Sequence, residues 1–293
     1  MTSPLPSALA ERIESAAVLD APASAIGKKV RELIPGGPVK DALSGVPIGH
    51  ALHPLLTDVP IGTWTSAVVL DVVGGPDSET AARRLIGAGL LAAAPTFVSG
   101  WNDWADAEPA RSGVRRAGIV HAACNGVAAV LMLGSLAARR SGATGRGKAL
   151  SLAGMGLLGA GGWLGGHLSY AQGVGVDTTA FDPGPDEWTS TGLRADDLAD
   201  GRPRCGLAGE VPVMVVRDDG RLRALHNRCS HRGGSLADGE VADGAVTCPL
   251  HGSVFALDDG SVRRGPSAYP QPVLAVRVVS DGEVEVRRAS ADD

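Results

Sequence analysis

Apolar and polar positions are unevenly shared along this chain. Leu85–Trp101, Ala117–Ala138 and Ala149–Ala171 carry no formal charge over 17, 22 and 23 residues. A helix needs about 20 such residues to cross the hydrocarbon core of a bilayer. A fourth stretch, Pro54–Val73, carries charge only at Asp58 and Asp71, near its two ends. A buried soluble bundle would also be apolar. Four such runs separated by short Arg-bearing loops favour four membrane spans. Gly161-x-x-x-Gly165 and Gly162-x-x-x-Gly166 would let the last span approach a neighbour closely, and Pro95 would kink the second.

Past residue 185 the pattern changes. Short β-rich runs, Val213–Arg217, Leu222–His226, Val273–Val279 and Glu283–Arg287, alternate with turn signals. Asp-Gly pairs at 219, 238, 243, 259 and 281 are five hairpin-type signals. The expected fold is therefore multi-domain, an N-terminal all-α transmembrane four-helix bundle followed by a C-terminal all-β antiparallel domain. The expected boundaries are an amphipathic helical segment at 1–50, the bundle at 51–175, a linker at 176–185 and the β-domain at 186–293. The first segment lacks the apolar core of a cleaved signal. It is expected on the membrane surface, on the β-domain, or as a mobile tail.

Charge sharpens the division. Residues 1–185 hold 14 Lys+Arg and 14 Asp+Glu, whereas 186–293 hold 13 Arg and 18 Asp+Glu, which is the whole net charge of −5. An acidic balance with 3% aromatics argues against nucleic acid as a partner. Four cysteines in 293 residues exclude a disulfide scaffold. An acidic β-domain would favour a basic docking partner. Between residues 28 and 148, Lys and Arg number seven on the N-terminal side of the spans and six on the other, which leaves orientation open. With both ends on one side and no targeting segment, the reading is a bacterial plasma-membrane protein with its β-domain in the cytoplasm.

Two short loops hold the chemistry. Cys229-Ser230-His231-Arg232-Gly233-Gly234 and Cys248-Pro249-Leu250-His251-Gly252-Ser253 give C-x-H, sixteen residues, then C-x-x-H. Thiolate and imidazole both suit iron and zinc. Structural zinc usually takes a Cys pair and a separate His pair; mixed pairs suit two loops gripping a two-iron cluster. Cys205, in a Gly/Pro/Arg loop, reads as a plain thiol, and His226 as a packing or surface residue.

With Arg232-Gly233, Phe255 and Gly265-Pro266, these loops make residues 186–289 resemble the Rieske [2Fe–2S] ferredoxin family. The resemblance implies that Cys229 and Cys248 ligate one iron and His231 and His251 the other. It also implies that Gly233 and Gly252 let the loops close, and that the imidazoles lie near a docking surface. Gly234 and Leu250 stand where respiratory members carry a disulfide. Ser253 is retained where a serine bonds a cluster sulfur, and Phe255 replaces a tyrosine. The potential is then set by hydrogen bonds to sulfur and by solvent exposure.

Residues 45–175 resemble a bacterial family of four-span membrane domains of unknown function, through His53-Pro54, Pro60-Ile61-Gly62, Gly100-Trp101-x-Asp103, His121 and Gly166-His167-Leu168. Following span direction, His53, Trp101, Asp103, His121, Asn125 and His167 all fall toward one membrane surface. Either they anchor the interface, or His121 with His167, or His53 with one of them, binds a b-type haem or lines a quinone pocket.

The leading functional expectation is a membrane-anchored electron-transfer protein exchanging single electrons with a membrane carrier or a soluble partner. The alternatives are a ferredoxin serving a separate oxygenase and a tethered redox or iron sensor. No set of two His and a carboxylate accompanies the β-domain on soluble chain, so no self-contained oxygenase site is expected. Partners would be an electron donor or acceptor protein, quinone, membrane lipid and further copies of the chain.

Overall fold

A computed structural model describes residues 5–289 and divides the chain into two compact units. One comprises the described residues up to Pro35 together with Leu52–Val174; the other comprises Gly36–Ala51 and the chain from Gly175 onward. The expected boundaries place 1–50 in one segment, and the structure splits it.

The first unit is helical: α1 (Leu5–Ser15), α2 (Asp20–Leu33), α4 (Leu52–Val73), α5 (Glu79–Ala107), α6 (Ser112–Arg140) and α7 (Thr144–Gly166), while α3 (Pro38–Ser44) belongs to the other unit. Helices α4–α7 run up and down through short loops, and α7 packs back on α4 to close a four-membered ring. All four are long and apolar enough to cross a membrane. Large apolar side chains such as Val72, Leu91, Val130 and Leu133 project outward from them. Such an outward face is at home in hydrocarbon and would be a liability in water. Pro95 lies inside α5, which continues through it as one helix.

Glycines set how closely α7 approaches α6. A Cβ at Gly161 would lie 2.5 Å from Asn125 Oδ1, and one at Gly165 would lie 3.0 Å from His121 Cε1. The second small-residue pair behaves differently, because a Cβ at Gly162 meets open space and one at Gly166 meets only Tyr170. Only one of the two sequence stripes is therefore an interface. Gly161→Val is expected to cost about 1–3 kcal/mol of bundle stability by overpacking, and Gly162→Ala close to none. Thermal unfolding of detergent-solubilised protein separates the two.

The amphipathic N-terminal helices lie against this bundle, on α5 and α6, rather than hanging as a tail. Ala23 and Gly27 of α2 are buried, and a Cβ at Gly27 would meet the Glu108 side chain. Glu108 is 2% exposed and takes Arg31 at 2.9 Å and Arg115 at 2.7 Å. Asp20 closes the group by pairing with Arg115 and Arg116. At the opposite end of the bundle, Arg139 pairs with Asp71 and, at 2.7 Å, with Glu79.

The second unit is built from two antiparallel sheets. Strands β1 (Thr189–Arg194), β2 (Arg204–Ala208), β3 (Val211–Asp218), β4 (Arg221–His226), β9 (Val273–Val278) and β10 (Glu283–Arg288) form one, in the order β1-β10-β9-β4-β3-β2. Strands β5 (Glu240–Ala242), β6 (Ala245–Thr247), β7 (Val254–Ala256) and β8 (Val262–Arg264) form the other in sequence order. Side chains alternate across a strand, so β3 serves two cores. Met214 and Val216 pack with Cys229, Cys248 and Phe255, and Val213 and Val215 pack with Leu274 and Val284.

Four of the five Asp-Gly signals sit at strand-to-strand turns. At 219–220 and 243–244 both residues have positive φ, as a two-residue hairpin turn requires. Asp238-Gly239 is the exception. It joins a 3₁₀ turn to β5, and Gly239 is needed because its Cα packs on the Thr247 carbonyl. Cys205 lies on β2 rather than in a loop.

Residues 177–185 are bound to the β-unit along their length. Thr178 N donates to Ser230 O at 3.1 Å, Asp182 meets His226, and Pro185 O accepts from Arg288 N. The segment Gly36–Ala51, with α3, straps the same unit. Asp41 Oδ1 accepts from Gly265 N at 2.9 Å, and the His50 ring packs edge-on against Tyr269 at 6.0 Å.

Candidate metal centre

Both Cys/His loops close in the same way. In the first, which leaves β4, Cys229 N donates to Gly234 O at 2.8 Å and Gly233 N to Cys229 O at 2.8 Å. In the second, between β6 and β7, Cys248 N donates to Ser253 O at 2.8 Å and Gly252 N to Cys248 O at 3.0 Å. The fifth residue of each turn has positive φ, 72° at Gly233 and 78° at Gly252, where any side chain costs strain. The loops face each other. A Cβ at Gly234 would lie 2.9 Å from Cys248 Sγ and 3.0 Å from Leu250 Cβ, so glycine is what lets them meet.

The sulfurs are buried and the imidazoles half-buried. The His231 and His251 rings stand 5.0 Å apart at 83°. Backbone N–H groups of His231 and Arg232 point at Cys229 Sγ, and those of Leu250 and His251 at Cys248 Sγ. The Cys229 S–H and these N–H groups bring the Cys248 thiol down to about 6, whereas the bond to Cys248 and burial push Cys229 up. Burial, then the charges of Arg232 and Lys40, hold the His231 imidazole well below its ordinary value. A neutral imidazole beside a ready thiolate is the protonation state that metal binding requires.

Supports come from far along the chain. Ser230 N donates to Gln271 Oε1 at 3.0 Å, while Gln271 Nε2 donates to the carbonyls of His226 and Arg228 at 2.7 Å each. Thr178 Oγ1 donates to Cys229 O at 2.8 Å. Ser253 is fully buried, and its Oγ accepts from Ser267 N at 2.9 Å. Sequence reasoning missed Gln271, Thr178 and Lys40, because none sits in a motif.

Residues 190–279 match the Rieske [2Fe-2S] domain family. Over 100 residues the chain is 37% identical to the anthranilate 1,2-dioxygenase ferredoxin subunit of Burkholderia cepacia, covering 91% of that protein and 34% of this one. The chain belongs to the Rieske [2Fe-2S] family. This Rieske protein is also 38% identical over 79 residues to cytochrome b6-f complex iron-sulfur subunit 1 of Synechocystis sp., spanning 43% of that subunit and 26% of its own length. The ferredoxin of carbazole 1,9a-dioxygenase from Nocardioides aromaticivorans aligns in structure at 27% identity and TM-score 0.33, over 36% of this chain and all of that one. Residues 49–178 match a family described as a predicted membrane protein (DUF2231). With four apolar helices of spanning length, this Rieske protein is consistent with a multi-pass membrane protein.

A Rieske domain implies a [2Fe-2S] cluster, and the residues present fit one. His231 Nδ1 is buried with no hydrogen-bond partner, and His251 Nδ1 is buried beside it. A buried unpaired nitrogen is costly unless something binds it. Among the described residues no three Cys, His, Asp or Glu side chains converge as ligands of a single ion would. A binuclear cluster asks only two protein ligands of each iron. Phe255 lies in the core, fully buried.

His226 is a packing residue of this Rieske domain. It is fully buried, its Nδ1 accepts from Arg228 N at 3.0 Å, and its Nε2 faces Asp182 at 3.4 Å. Burial lowers its pKa against the smaller opposing pull of Asp182. A folded-state pKa below the unfolded 6.5 means that the unfolded chain binds the extra proton. The resulting stability is present above about pH 6.5 and lost as pH falls through the folded value. The unfolding midpoint, followed by the cluster's visible circular dichroism, should drop between pH 7.5 and 5.5, and less so in His226→Gln.

The membrane candidates share one end of the bundle, but they do not form one group. His53 Nδ1 lies 3.0 Å from Thr96 O, and His121 Nδ1 lies 2.7 Å from Gly161 O. Asn125, one turn on, donates to His121 O at 2.9 Å. His167 is turned elsewhere, with Nε2 on Glu14 at 2.6 Å and its ring stacked on Trp163. Trp101 packs edge-on against Trp104, and Asp103 accepts from Asn102. His167 thus pairs with Glu14, while His53 and His121 each seat on a backbone carbonyl.

Proposed function

We propose that this is a membrane-anchored Rieske electron-transfer protein, in which Cys229 and Cys248 hold one iron and His231 and His251 the other. Bound there, the cluster supplies reversible one-electron transfer. The observation that carries the reading is the pair of identically closed loops with two half-buried imidazoles facing each other. The chain's own residues do the rest. Backbone N–H groups at the loop tips stabilise charge on the sulfurs, Ser253 stands ready as a hydroxyl donor, and the imidazole edge is where a partner would dock. The electron is exchanged with a membrane carrier, quinone or b-type haem, or with a soluble redox protein.

A second reading, a ferredoxin serving a separate oxygenase, is supported by the identity to a dioxygenase ferredoxin subunit along nearly its whole length. Stopped-flow reoxidation of the reduced full chain separates the two. Fast reoxidation by a short-chain quinone in mild detergent supports the membrane route. Reoxidation only by an added oxygenase component supports the second. A reduced protein that neither reoxidises sinks both readings.

A further inference from the structure

The chain leaves β4 at His226 and reaches Cys229 without entering another strand. Strands β4 and β9 pair Ala224 with Leu274 and Leu225 with Val273, and His226 N then donates to Pro272 O at 2.9 Å. One residue further, the main chain of Gln271 has turned away, its N–H donating to Gly260 O at 2.8 Å. The Gln271 side chain takes over the ladder. A carboxamide offers the donor and acceptor of a peptide group, and this buried one uses both N–H groups and its oxygen. Nε2 donates to His226 O and Arg228 O at 2.7 Å each, and Oε1 accepts from Ser230 N at 3.0 Å.

Two of these three contacts flank an iron ligand. The Arg228 carbonyl belongs to the peptide before Cys229, and the Ser230 N–H to the peptide after it. The plane of the first fixes φ of Cys229 and the plane of the second fixes ψ. One side chain therefore holds both soft dihedrals of that residue, and with them the direction of its Cβ–Sγ bond. The remaining polar groups of the same two peptides are held as well. Cys229 N donates to Gly234 O at 2.8 Å, and Cys229 O accepts from Thr178 Oγ1 at 2.8 Å. Cys248 is braced differently, by paired strands on either side of its loop, where Thr247 of β6 faces Val254 of β7.

We propose that Gln271 is a positioning residue of the electron-transfer centre, aiming Cys229 Sγ at its iron and at the N–H groups of its loop, and so helping to set the reduction potential. The proposal rests on the Cys229 assignment of the electron-transfer reading. Hydrogen bonds to the sulfurs are one of the terms that set such potentials, because they stabilise the negative charge that the added electron brings. The backbone N–H groups of His231 and Arg232 point at Cys229 Sγ, and they act fully only where the sulfur lies along their bonds. A Cys229 freed in φ and ψ loses that alignment, and the reduced cluster loses more by it than the oxidised one.

The test is spectroelectrochemistry and EPR of the full chain in mild detergent, with thermal unfolding in parallel. Gln271→Met keeps the length, adds no charge and removes all three hydrogen bonds. It should weaken reduction about tenfold, a fall of about 59 mV for one electron, and quicken loss of the cluster to an iron chelator. Gln271→Asn draws the amide back by one methylene and should give a smaller shift in the same direction. Thr191→Val is the control. It deletes another buried hydrogen bond of the same sheet, Thr191 Oγ1 to Val284 O at 2.8 Å, on an edge strand that bears no ligand loop. It should lower the unfolding temperature and leave the potential unchanged, as Gln271→Met would if Gln271 served the fold alone. An unchanged potential in Gln271→Met overturns the proposal, and where that variant holds no cluster, an unchanged potential in Gln271→Asn does so. Loss of the cluster from both supports the proposal if each unfolds as Thr191→Val does, and overturns it if the fold is lost as well. Wild-type protein without a Rieske-type EPR signal overturns instead the reading on which the proposal rests.

Discussion

Replacing His231 and His251 together by cysteine should lower the cluster potential by roughly 250 mV or more, from the Rieske range toward that of all-cysteine clusters. The cause is charge. Two neutral imidazoles become two thiolates, and each added negative charge opposes entry of an electron into a site screened little by water. Both positions lie on loops already closed around their own backbone, with rings 5.0 Å apart, so the scaffold does not depend on the side chains exchanged. The midpoint is read by spectroelectrochemistry, and the ligand change by EPR of the dithionite-reduced protein. A double variant with an unchanged midpoint would remove the histidines from the ligand set. Cys229→Ala gives the complementary result, loss of the signal altogether.

The second large effect concerns Arg139. Its side chain is fully buried, and its guanidinium reaches all four spanning helices. It pairs with Asp71 on α4 and Glu79 on α5, donates to Ser135 Oγ on its own helix at 3.1 Å, and to Ser151 Oγ on α7 at 3.3 Å. Ser151 Oγ in turn donates to Asp71 Oδ2 at 3.1 Å. Removing one partner of such a group leaves the remaining charge buried and uncompensated, at a cost of about 3–5 kcal/mol. Arg139→Met should therefore lower the unfolding free energy of the bundle by that amount. Arg139→Lys, which keeps the charge but not the planar fork, should lose less. Adding Asp71→Asn to Arg139→Met should recover part of the loss. Denaturant titration of the solubilised protein measures all three, and a fully additive double variant would show that the two residues act independently.

Features set by local pattern were readable from the residues alone. Chain stretches with little or no charge become α4–α7 because lipid tolerates little else, and the two metal loops stand out because cysteine and histidine at that spacing have few other uses. Asp219-Gly220 and Asp243-Gly244 named their hairpins because positive φ at both residues demands such pairs. Strands β5–β8 escaped notice because three residues are too short to show a period. Partnerships between distant residues left no mark. Glu14 gives no sign that it will take His167 from across 153 positions, nor Glu108 that it will seat α2 and Arg31. Of two equivalent small-residue stripes on α7, only packing shows that 161 and 165 face α6. The strap at 36–51 was hidden for the same reason, since Asp41 and Gly265 are 224 residues apart.

That strap bears on how the redox unit can be dissected. Gly265 stands two residues before Ser267, whose N–H fixes Ser253 beneath the second loop, and Lys40 of the strap acts on His231. A soluble fragment cut after the last span would begin near Gly175 and would lack Asp41, Lys40 and His50. The Gly265 N–H would lose its carboxylate, the Tyr269 ring its cover, and His231 a neighbouring positive charge. Potentials measured on such a fragment would belong to a site with one wall missing. Grafting residues 36–51 ahead of Gly175 through a flexible tether would restore the wall, because the segment is contiguous and brings its own helix.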